Sequence, residues 1–148
     1  MAKHYQVNFA VRASNAIVRV LLKLGVPVGA NVLLTVRGRK SGLPQTVPVA
    51  LMTGDNRRWL VGSFGNVNWV RNLRAAGEAT LTRGRRPEHI RAVELSPQEA
   101  APVLRDALAT APGLIKGYFD VTSSSPLAEF EREAPRHPVF EIFPAAAS

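Results

Sequence analysis

Two short segments, thirty residues apart, carry the side chains best suited to bind a negatively charged ligand. The first is Gly38-Arg39-Lys40-Ser41-Gly42, in the bend between two strand-like runs. Guanidinium, ammonium and hydroxyl groups on a turn whose glycines expose backbone N–H groups give phosphate or carboxylate oxygens several convergent donors. The second is Asn68-Trp69-Val70-Arg71-Asn72-Leu73, which opens a short helix. Together the two segments predict a site for an anionic cofactor.

Positive charge is concentrated in the part of the chain that holds these segments. Nineteen Lys and Arg against eleven Asp and Glu give a net charge of +8. Residues 31–91 carry eleven cations and three acids, whereas residues 92–148 carry four cations and eight acids. Such a field attracts anionic cofactors, nucleic acid or acidic lipid. Nucleic-acid binding is disfavoured, because few aromatic residues lie among the cations and no helix-turn-helix or zinc pattern occurs.

The cysteine, histidine and serine residues of the chain argue against several kinds of catalytic site. The 148 residues contain no cysteine, which excludes disulfides, thiolate metal sites and thiol nucleophiles and agrees with a reducing compartment. His4, His89 and His137 lie too far apart for local metal-ligand spacing, so no metal is expected. A Ser63 hydrolase is disfavoured, because Gly62-Ser63-Phe64-Gly65 lacks the glycine two residues before the serine that a nucleophile elbow requires.

The first 25 residues predict an N-terminal amphipathic helix that ends at Gly25. Between residues 7 and 24, apolar and cationic side chains fall on opposite faces. The helix packs on the core of its own domain or rests on an anionic membrane surface, and both interpretations stay open. No secretory signal or uninterrupted apolar span is apparent, so we expect a cytoplasmic protein, with membrane association through this helix as the open alternative.

The remaining elements predict a single α+β domain over residues 1–148. The capping box Ser96-Pro97-Gln98-Glu99 begins a helix to about Thr110, and residues 111–125 are ambiguous. Another helix begins at Asn68 as its N-cap and ends at Gly77. Strands are predicted at Asn31–Arg37, Gln45–Met52, Arg58–Ser63, Ala79–Arg83, Ile90–Leu95 and Val139–Phe143. Strands joined by hairpins, with helices inserted late, indicate a small antiparallel barrel.

From Leu33 to about Leu95 the order of segments resembles the deazaflavin-dependent nitroreductase family, small actinobacterial proteins that bind coenzyme F420. The resemblance implies a small split antiparallel β-barrel with flanking helices, shared with flavin and deazaflavin oxidoreductases. Four motifs in this order carry it: the hairpin Gly38–Pro44, Val47-Pro48-Val49 on the returning strand, the exit Val61-Gly62-Ser63-Phe64-Gly65, and Asn68–Leu73.

The resemblance also implies which residues bind the cofactor. The phosphate and the start of the oligoglutamate tail are expected at Arg39, Lys40 and Ser41, with Gln45, Thr46, Val47, Pro48, Val49 and Ala50 behind them. The deazaflavin ring is expected along Gly62, Ser63, Phe64 and Gly65, beside the helix start formed by Asn68, Trp69, Val70, Arg71 and Asn72. The alternatives are core packing for Trp69 and plain exposure in a turn for Arg39 and Lys40.

The implied reaction is transfer of a hydride from reduced deazaflavin to an electron-poor small molecule, such as a quinone, an activated alkene or a nitro compound. Tyr118 or Ser63 is expected to deliver or orient the accompanying proton, with solvent as the alternative. Gly117-Tyr118-Phe119-Asp120 departs from the several tyrosines of nitroreducing members, which leaves the acceptor open. The alternatives are an FMN-binding split-barrel oxidoreductase and a non-catalytic deazaflavin-binding or lipid-binding protein. Related barrels often pair, which leaves a homodimer open.

Overall fold

The computed structural model describes residues 31–110, 116 and 119–145, and these residues form six strands, three helices and a 3-10 turn. The strands close into an antiparallel barrel in the order β1-β2-β3-β6-β5-β4. Their bounds are Asn31–Arg37 for β1, Pro44–Gly54 for β2, Arg57–Val61 for β3, Glu78–Arg83 for β4, Arg86–Glu94 for β5 and Val139–Pro144 for β6. The helices are α1 at Asn68–Ala76, α2 at Pro97–Thr110 and α3 at Leu127–Glu133, followed by the 3-10 turn Ala134–Arg136. The predicted α+β barrel with flanking helices is confirmed.

The directions of the strands bring three segments towards one end of the barrel: the β1–β2 turn, the segment after β3 and helix α1. β1 pairs with β2 from Asn31 to Arg37, whereas β3 pairs with β2 only from Leu51 to Gly54. Because β1 and β3 are both antiparallel to β2, the chain leaves β1 and β3 at the same end. Helix α1 covers this end, since Val70 and Leu73 are buried in the core of the barrel. We call it the α1 end.

Two buried clusters hold the described part of the chain together. The first fills the barrel, where apolar residues recur at alternate positions of β1, as expected for a strand with one buried face. The second lies between the outside of β3 and β6 and the helices α2 and α3. The largest fully buried side chains are Val32, Leu34, Leu60, Val70, Leu73, Ile90 and Phe140 in the first cluster, and Leu104, Phe130 and Val139 in the second.

Two helix ends follow local capping rules, whereas α1 and α3 begin without a side-chain cap. Gly77 ends α1 with a φ of 73°, in the left-handed region that favours glycine, as predicted. The capping box before α2 is also confirmed: the Ser96 amide donates to Glu99 Oε1 at 3.2 Å and the Glu99 amide donates to Ser96 Oγ at 3.3 Å. The predicted N-cap at Asn68 is wrong. Val67 occupies that position without a side-chain hydrogen bond, and Asn68 is the first helical residue.

Several element boundaries differ from the prediction. β2 extends to Gly54, β5 begins at Arg86 because it pairs with β4 down to the turn, and β3 ends at Val61 instead of Ser63. Helix α3 was not predicted. The amphipathic helix predicted in the first 25 residues lies outside the described residues, and the single domain over the whole chain stays a prediction.

Arginine–carboxylate pairs connect strands on the outside of the barrel. Arg57 on β3 donates through Nε and Nη2 to both carboxylate oxygens of Glu141 on β6, at 2.9 and 2.6 Å. The Arg57 guanidinium also lies 5.2 Å from the ring centroid of Trp59. These hydrogen bonds lower the pKa of Glu141 below its ordinary value near 4.5. The pair therefore favours the ionised carboxylate in the folded state.

We expect Glu141→Gln to lower the free energy of unfolding near neutral pH and to remove part of its acid dependence. A carboxylate with a lowered folded pKa stabilises the fold above its unfolded pKa, and this contribution is lost as the pH falls through the folded pKa. The loss is modest, because Arg57 is half exposed. Urea unfolding of parent and variant between about pH 7 and about pH 3 measures it. A difference that is the same at both ends of this range contradicts the assignment.

Candidate cofactor-binding site

The turn between β1 and β2 is held by its own hydrogen bonds. The Gly38 amide donates to the Leu43 carbonyl at 2.8 Å, and the Gly42 amide donates to the Gly38 carbonyl at 2.9 Å. Gly42 has a φ of 73°, which few other residues adopt without strain. The Leu43 amide donates to Ser41 Oγ at 3.2 Å. Because Ser41 accepts this bond, its hydroxyl proton remains a donor for a ligand.

Helix α1 holds this turn through one side chain. Asn72 Oδ1 accepts hydrogen bonds from the Arg39 backbone amide at 3.1 Å and from Arg39 Nη1 at 2.8 Å. Asn72 is 2% exposed, whereas Arg39 is exposed. A guanidinium carries five N–H donors, so most of them are left for an anion. Asn72 therefore fixes both the backbone of the turn and the direction of its first cation.

A cleft of about 820 Å³ lies beside the turn at the α1 end of the barrel. Its walls are the turn, the last residues of α1 and the neighbouring parts of β1, β4 and β5. Among the described residues that line it, the charged ones are the cations Arg37, Arg39 and Lys40 and the acid Glu78. This balance favours phosphate or carboxylate groups. The structure thus brings the predicted Arg39, Lys40 and Ser41 together on one wall of the cleft.

The predicted residues of the returning strand form the first half of β2, next to the turn. This half has β1 as its one strand neighbour within the described residues, and its other edge begins to pair only at Leu51. Thr46 Oγ1 lies 2.8 Å from Thr35 Oγ1, which fastens the strand to β1. An unpaired strand edge offers backbone donors and acceptors to a ligand. The six residues differ in burial: Val49 is buried, Thr46, Val47 and Pro48 are half-buried, and Gln45 and Ala50 are exposed.

The segment after β3, residues 62–67, is a tight loop that we call the exit loop. The Gly62 amide donates to the Pro138 carbonyl at 2.7 Å, and the Gly65 amide donates to the Gly62 carbonyl at 3.0 Å. These two glycine amides therefore hold the loop itself. Ser63 and Phe64, both half-buried, lie between them. Their contact with a cofactor ring stays a prediction.

The predicted residues at the start of α1 have different environments. Val70 and Asn72 are buried, Trp69 is half-buried, and Asn68 and Arg71 are exposed. Trp69 packs against the barrel core, with its ring centroid 6.3 Å from that of Phe140. Trp69 thus contributes to packing, and its contact with a cofactor stays a prediction.

A buried polar pair that the sequence did not predict lies under the exit loop. His137 and Glu133 are 3% and 2% exposed, and His137 Nε2 lies 2.9 Å from Glu133 Oε1. His137 Nδ1 donates to the Ser63 carbonyl oxygen at 2.9 Å. Burial is the largest influence on the ring and lowers the pKa of His137 below its ordinary value, although Glu133 and Ser63 oppose this. The spacing of four residues was the available sequence signal, but α3 itself was not predicted.

Of the two residues predicted to handle the proton, the structure places one. Ser63 lies in the exit loop with its carbonyl bound to His137. Tyr118 lies outside the described residues, and Phe119, which follows it in the chain, is buried. Among the described residues no three His, Asp or Glu side chains come together as a metal site. No helix in this part of the chain is long and apolar enough to cross a membrane.

The model of the F420H(2)-dependent quinone reductase family matches residues 4–124. The chain belongs to this family. It is therefore an oxidoreductase that uses coenzyme F420, which confirms the deazaflavin-dependent activity that the four motifs implied.

Solved structures share the fold of this F420H(2)-dependent quinone reductase family member. An F420-H2 dependent reductase, FDR-A, is 23% identical with a TM-score of 0.51, over 77% of this chain and 94% of its own. A domain-swapped dimer is 22% identical with a TM-score of 0.54, over 90% and 97% of the two chains. A protein related to general stress protein 26, of the pyridoxinephosphate oxidase family from Clostridium acetobutylicum, is 13% identical with a TM-score of 0.50, over 90% and 82%. No curated protein matches the sequence.

We expect Asn72→Leu to lower the free energy of unfolding by about 1 to 3 kcal/mol, because it removes the acceptor of two hydrogen bonds at a buried position. Asn72→Asp is the matched control, since it has nearly the same size and keeps an acceptor facing Arg39. Urea unfolding measures both variants. The assigned role of Asn72 is wrong if the leucine variant loses less than about 0.5 kcal/mol, or if the aspartate variant loses as much as the leucine variant.

Proposed function

We propose that this family member reduces an electron-poor small molecule, such as a quinone, an activated alkene or a nitro compound, with F420 bound at the α1 end of the barrel. The observation that supports this placement is the cationic turn that Asn72 holds against α1, next to the half of β2 whose outer edge has no strand partner among the described residues. The turn supplies charge and directed donors, and the strand edge supplies backbone groups. An elongated anionic ligand can use both at once.

The turn is proposed to hold the phosphate and the start of the oligoglutamate tail. Arg39 contributes the guanidinium N–H groups that Asn72 does not engage, Lys40 contributes a second cation, and Ser41 contributes its hydroxyl proton. The residues present fit such a ligand, because three cations and one acid line the cleft. Gln45 to Ala50 do not line this cleft, and they are proposed to contact the ligand separately, along the outer edge of β2. Negatively charged tail groups gain most there from the basic field of residues 31–91.

The exit loop and the start of α1 are proposed to lie beside the ring. Bound F420 in its reduced form supplies the hydride, so the protein has no need of a nucleophile or a metal. Ser63, Phe64 and Trp69 then fix one ring face, exclude water and leave the other face to the acceptor. The remaining predicted residues of the two segments are proposed to complete the surface around the ring: Gly62, Gly65, Asn68, Val70, Arg71 and Asn72. The proton that accompanies the hydride comes from the Ser63 hydroxyl, Tyr118 or solvent.

A homodimer is part of the proposal. One solved structure with the same fold is a domain-swapped dimer, and closed twofold pairing is the commonest assembly of soluble proteins. A cytoplasmic location and membrane contact through the predicted N-terminal helix stay proposals from the sequence.

The deciding experiment is a paired titration with F420 and FMN. We expect the protein to quench the fluorescence of F420 at micromolar or lower concentrations, to keep the chromophore through desalting and to ignore FMN. With reduced F420 it is expected to turn over menadione, a quinone. Tight binding of FMN without binding of F420 overturns the proposed cofactor site. Binding of F420 without turnover of a quinone, an activated alkene or a nitro compound overturns the proposed reaction.

We expect the double variant Arg39→Ala with Lys40→Ala to weaken F420 binding by about 2 to 4 kcal/mol and to flatten its salt dependence, because two cations leave the turn. The matched control is Arg83→Ala with Arg86→Ala. It removes the same charge from two exposed, paired positions beside the β4–β5 turn, at the opposite end of the barrel. Titrations at low and high salt separate local contacts from net charge. Equal losses in both double variants contradict a phosphate site at the turn.

A further inference from the structure

The exit loop is anchored from below by two consecutive residues that precede β6. His137 Nδ1 donates to the Ser63 carbonyl at 2.9 Å, and the Pro138 carbonyl accepts from the Gly62 amide at 2.7 Å. A β-carbon on Gly62 would lie 3.2 Å from that Pro138 oxygen, so the two segments are in close contact. The Pro138 anchor is part of the backbone. The His137 anchor depends on one side chain, and it is the contact that a substitution can remove.

The orientation of the His137 ring is itself fixed from two directions. Glu133 Oε1 lies 2.9 Å from Nε2. The ring also stacks on Phe119, with centroids 3.8 Å apart and an angle of 11° between the planes. Glu133 is held in turn: Oε1 accepts from the Asp120 amide at 3.1 Å and Oε2 accepts from Arg136 Nη2 at 2.5 Å. Arg136 Nη1 donates to Asp120 Oδ2 at 3.0 Å.

This network joins three segments that are far apart in the sequence. The exit loop, residues 119–120 and the end of α3 all contribute a group to it. Burying a carboxylate and an imidazole costs free energy that an apolar pair of similar volume would avoid. Stability alone therefore does not account for the pair. Unlike apolar packing, the polar groups are directional. Their hydrogen bonds fix the plane of the His137 ring and the orientation of the Ser63 carbonyl.

We propose that His137, oriented by Glu133 and Phe119, is a positioning residue that fixes the exit loop against the ring of F420. The inference rests on the proposed function, which places Ser63 and Phe64 beside that ring. Without the Nδ1 donor the Ser63 peptide can rotate, and the residues on either side of it lose their fixed position. His137 acts through the loop and makes no contact with the coenzyme itself.

Two substitutions at His137 separate the hydrogen bond from ring packing. His137→Phe keeps an aromatic ring for Phe119 but has no donor for the Ser63 carbonyl. His137→Asn places an amide N–H near the position of Nδ1 and keeps the donor. Glu141→Gln is the stability control, because it breaks the arginine–carboxylate pair of Arg57 and Glu141 on the outside of the same barrel. Glu133→Leu replaces His137→Phe if that variant does not fold, since it removes the polar partner of Nε2 without changing the ring.

The first readout needs no coenzyme. Amide hydrogen exchange of residues 62–67 is expected to accelerate about tenfold in His137→Phe and to change less than about twofold in His137→Asn. The second readout is F420 affinity, where Kd is expected to rise about fivefold or more in the phenylalanine variant and to recover in the asparagine variant. The slope of log Kd against log salt is expected to stay parental, because the cationic turn is unchanged.

The proposal is overturned if exchange of the exit loop stays at the parental rate, or if it accelerates while F420 affinity does not change. It is also overturned if Glu141→Gln reproduces both effects, since general loss of stability then explains them. A parent protein that binds no F420 overturns the proposed function and this inference together. If the parent protein binds F420 and His137→Phe binds it with the same affinity, this inference alone is overturned.

Discussion

The contact between Asn72 and Arg39 is the interaction on which the proposed site depends. The backbone hydrogen bonds of the turn close it, but they do not fix the direction of its exposed cations, which repel each other. Here one buried oxygen accepts from both the amide and the guanidinium of Arg39, across 33 positions of the sequence. The entropy of ordering the turn is thus lost during folding, before a ligand arrives. An anion then binds to a guanidinium group that the fold has already oriented.

Helix α1 sets the distance between the two halves of this site. The helix begins at Asn68, directly after the exit loop, and four residues later Asn72 holds the β1–β2 turn. At 1.5 Å of rise per residue, these two positions lie about 6 Å apart along the helix axis. Because Val70 and Leu73 bury the helix in the barrel, this spacing is rigid. Helix α1 therefore fixes the distance between the proposed anion contacts and the proposed ring contacts.

Local signals in the sequence predicted most of the fold, whereas contacts between distant segments could not be predicted. Gly77 and the Ser96 capping box gave helix ends that the structure confirms, because capping depends on neighbouring residues. Helix α3 was missed because seven residues with few apolar positions show no clear period. The bond between His137 and Ser63 spans 74 positions and exists only after β3 and β6 pair. The sequence shows which residue types form the turn, but the hydrogen bonds from Arg39 to Asn72 could not be predicted from it.

The buried pair under the exit loop follows from the way the barrel closes. β3 and β6 are neighbours through Val61 and Val139, so the residues just beyond them must lie side by side. The Ser63 carbonyl in this loop is partly buried, so leaving it without a donor costs free energy. A water molecule could satisfy the carbonyl, but it would not fix a direction. A ring held by Glu133 and stacked on Phe119 satisfies it and also orients the peptide. The pairing of β3 with β6 thus places the Ser63 carbonyl, which needs a donor, next to His137, which supplies it.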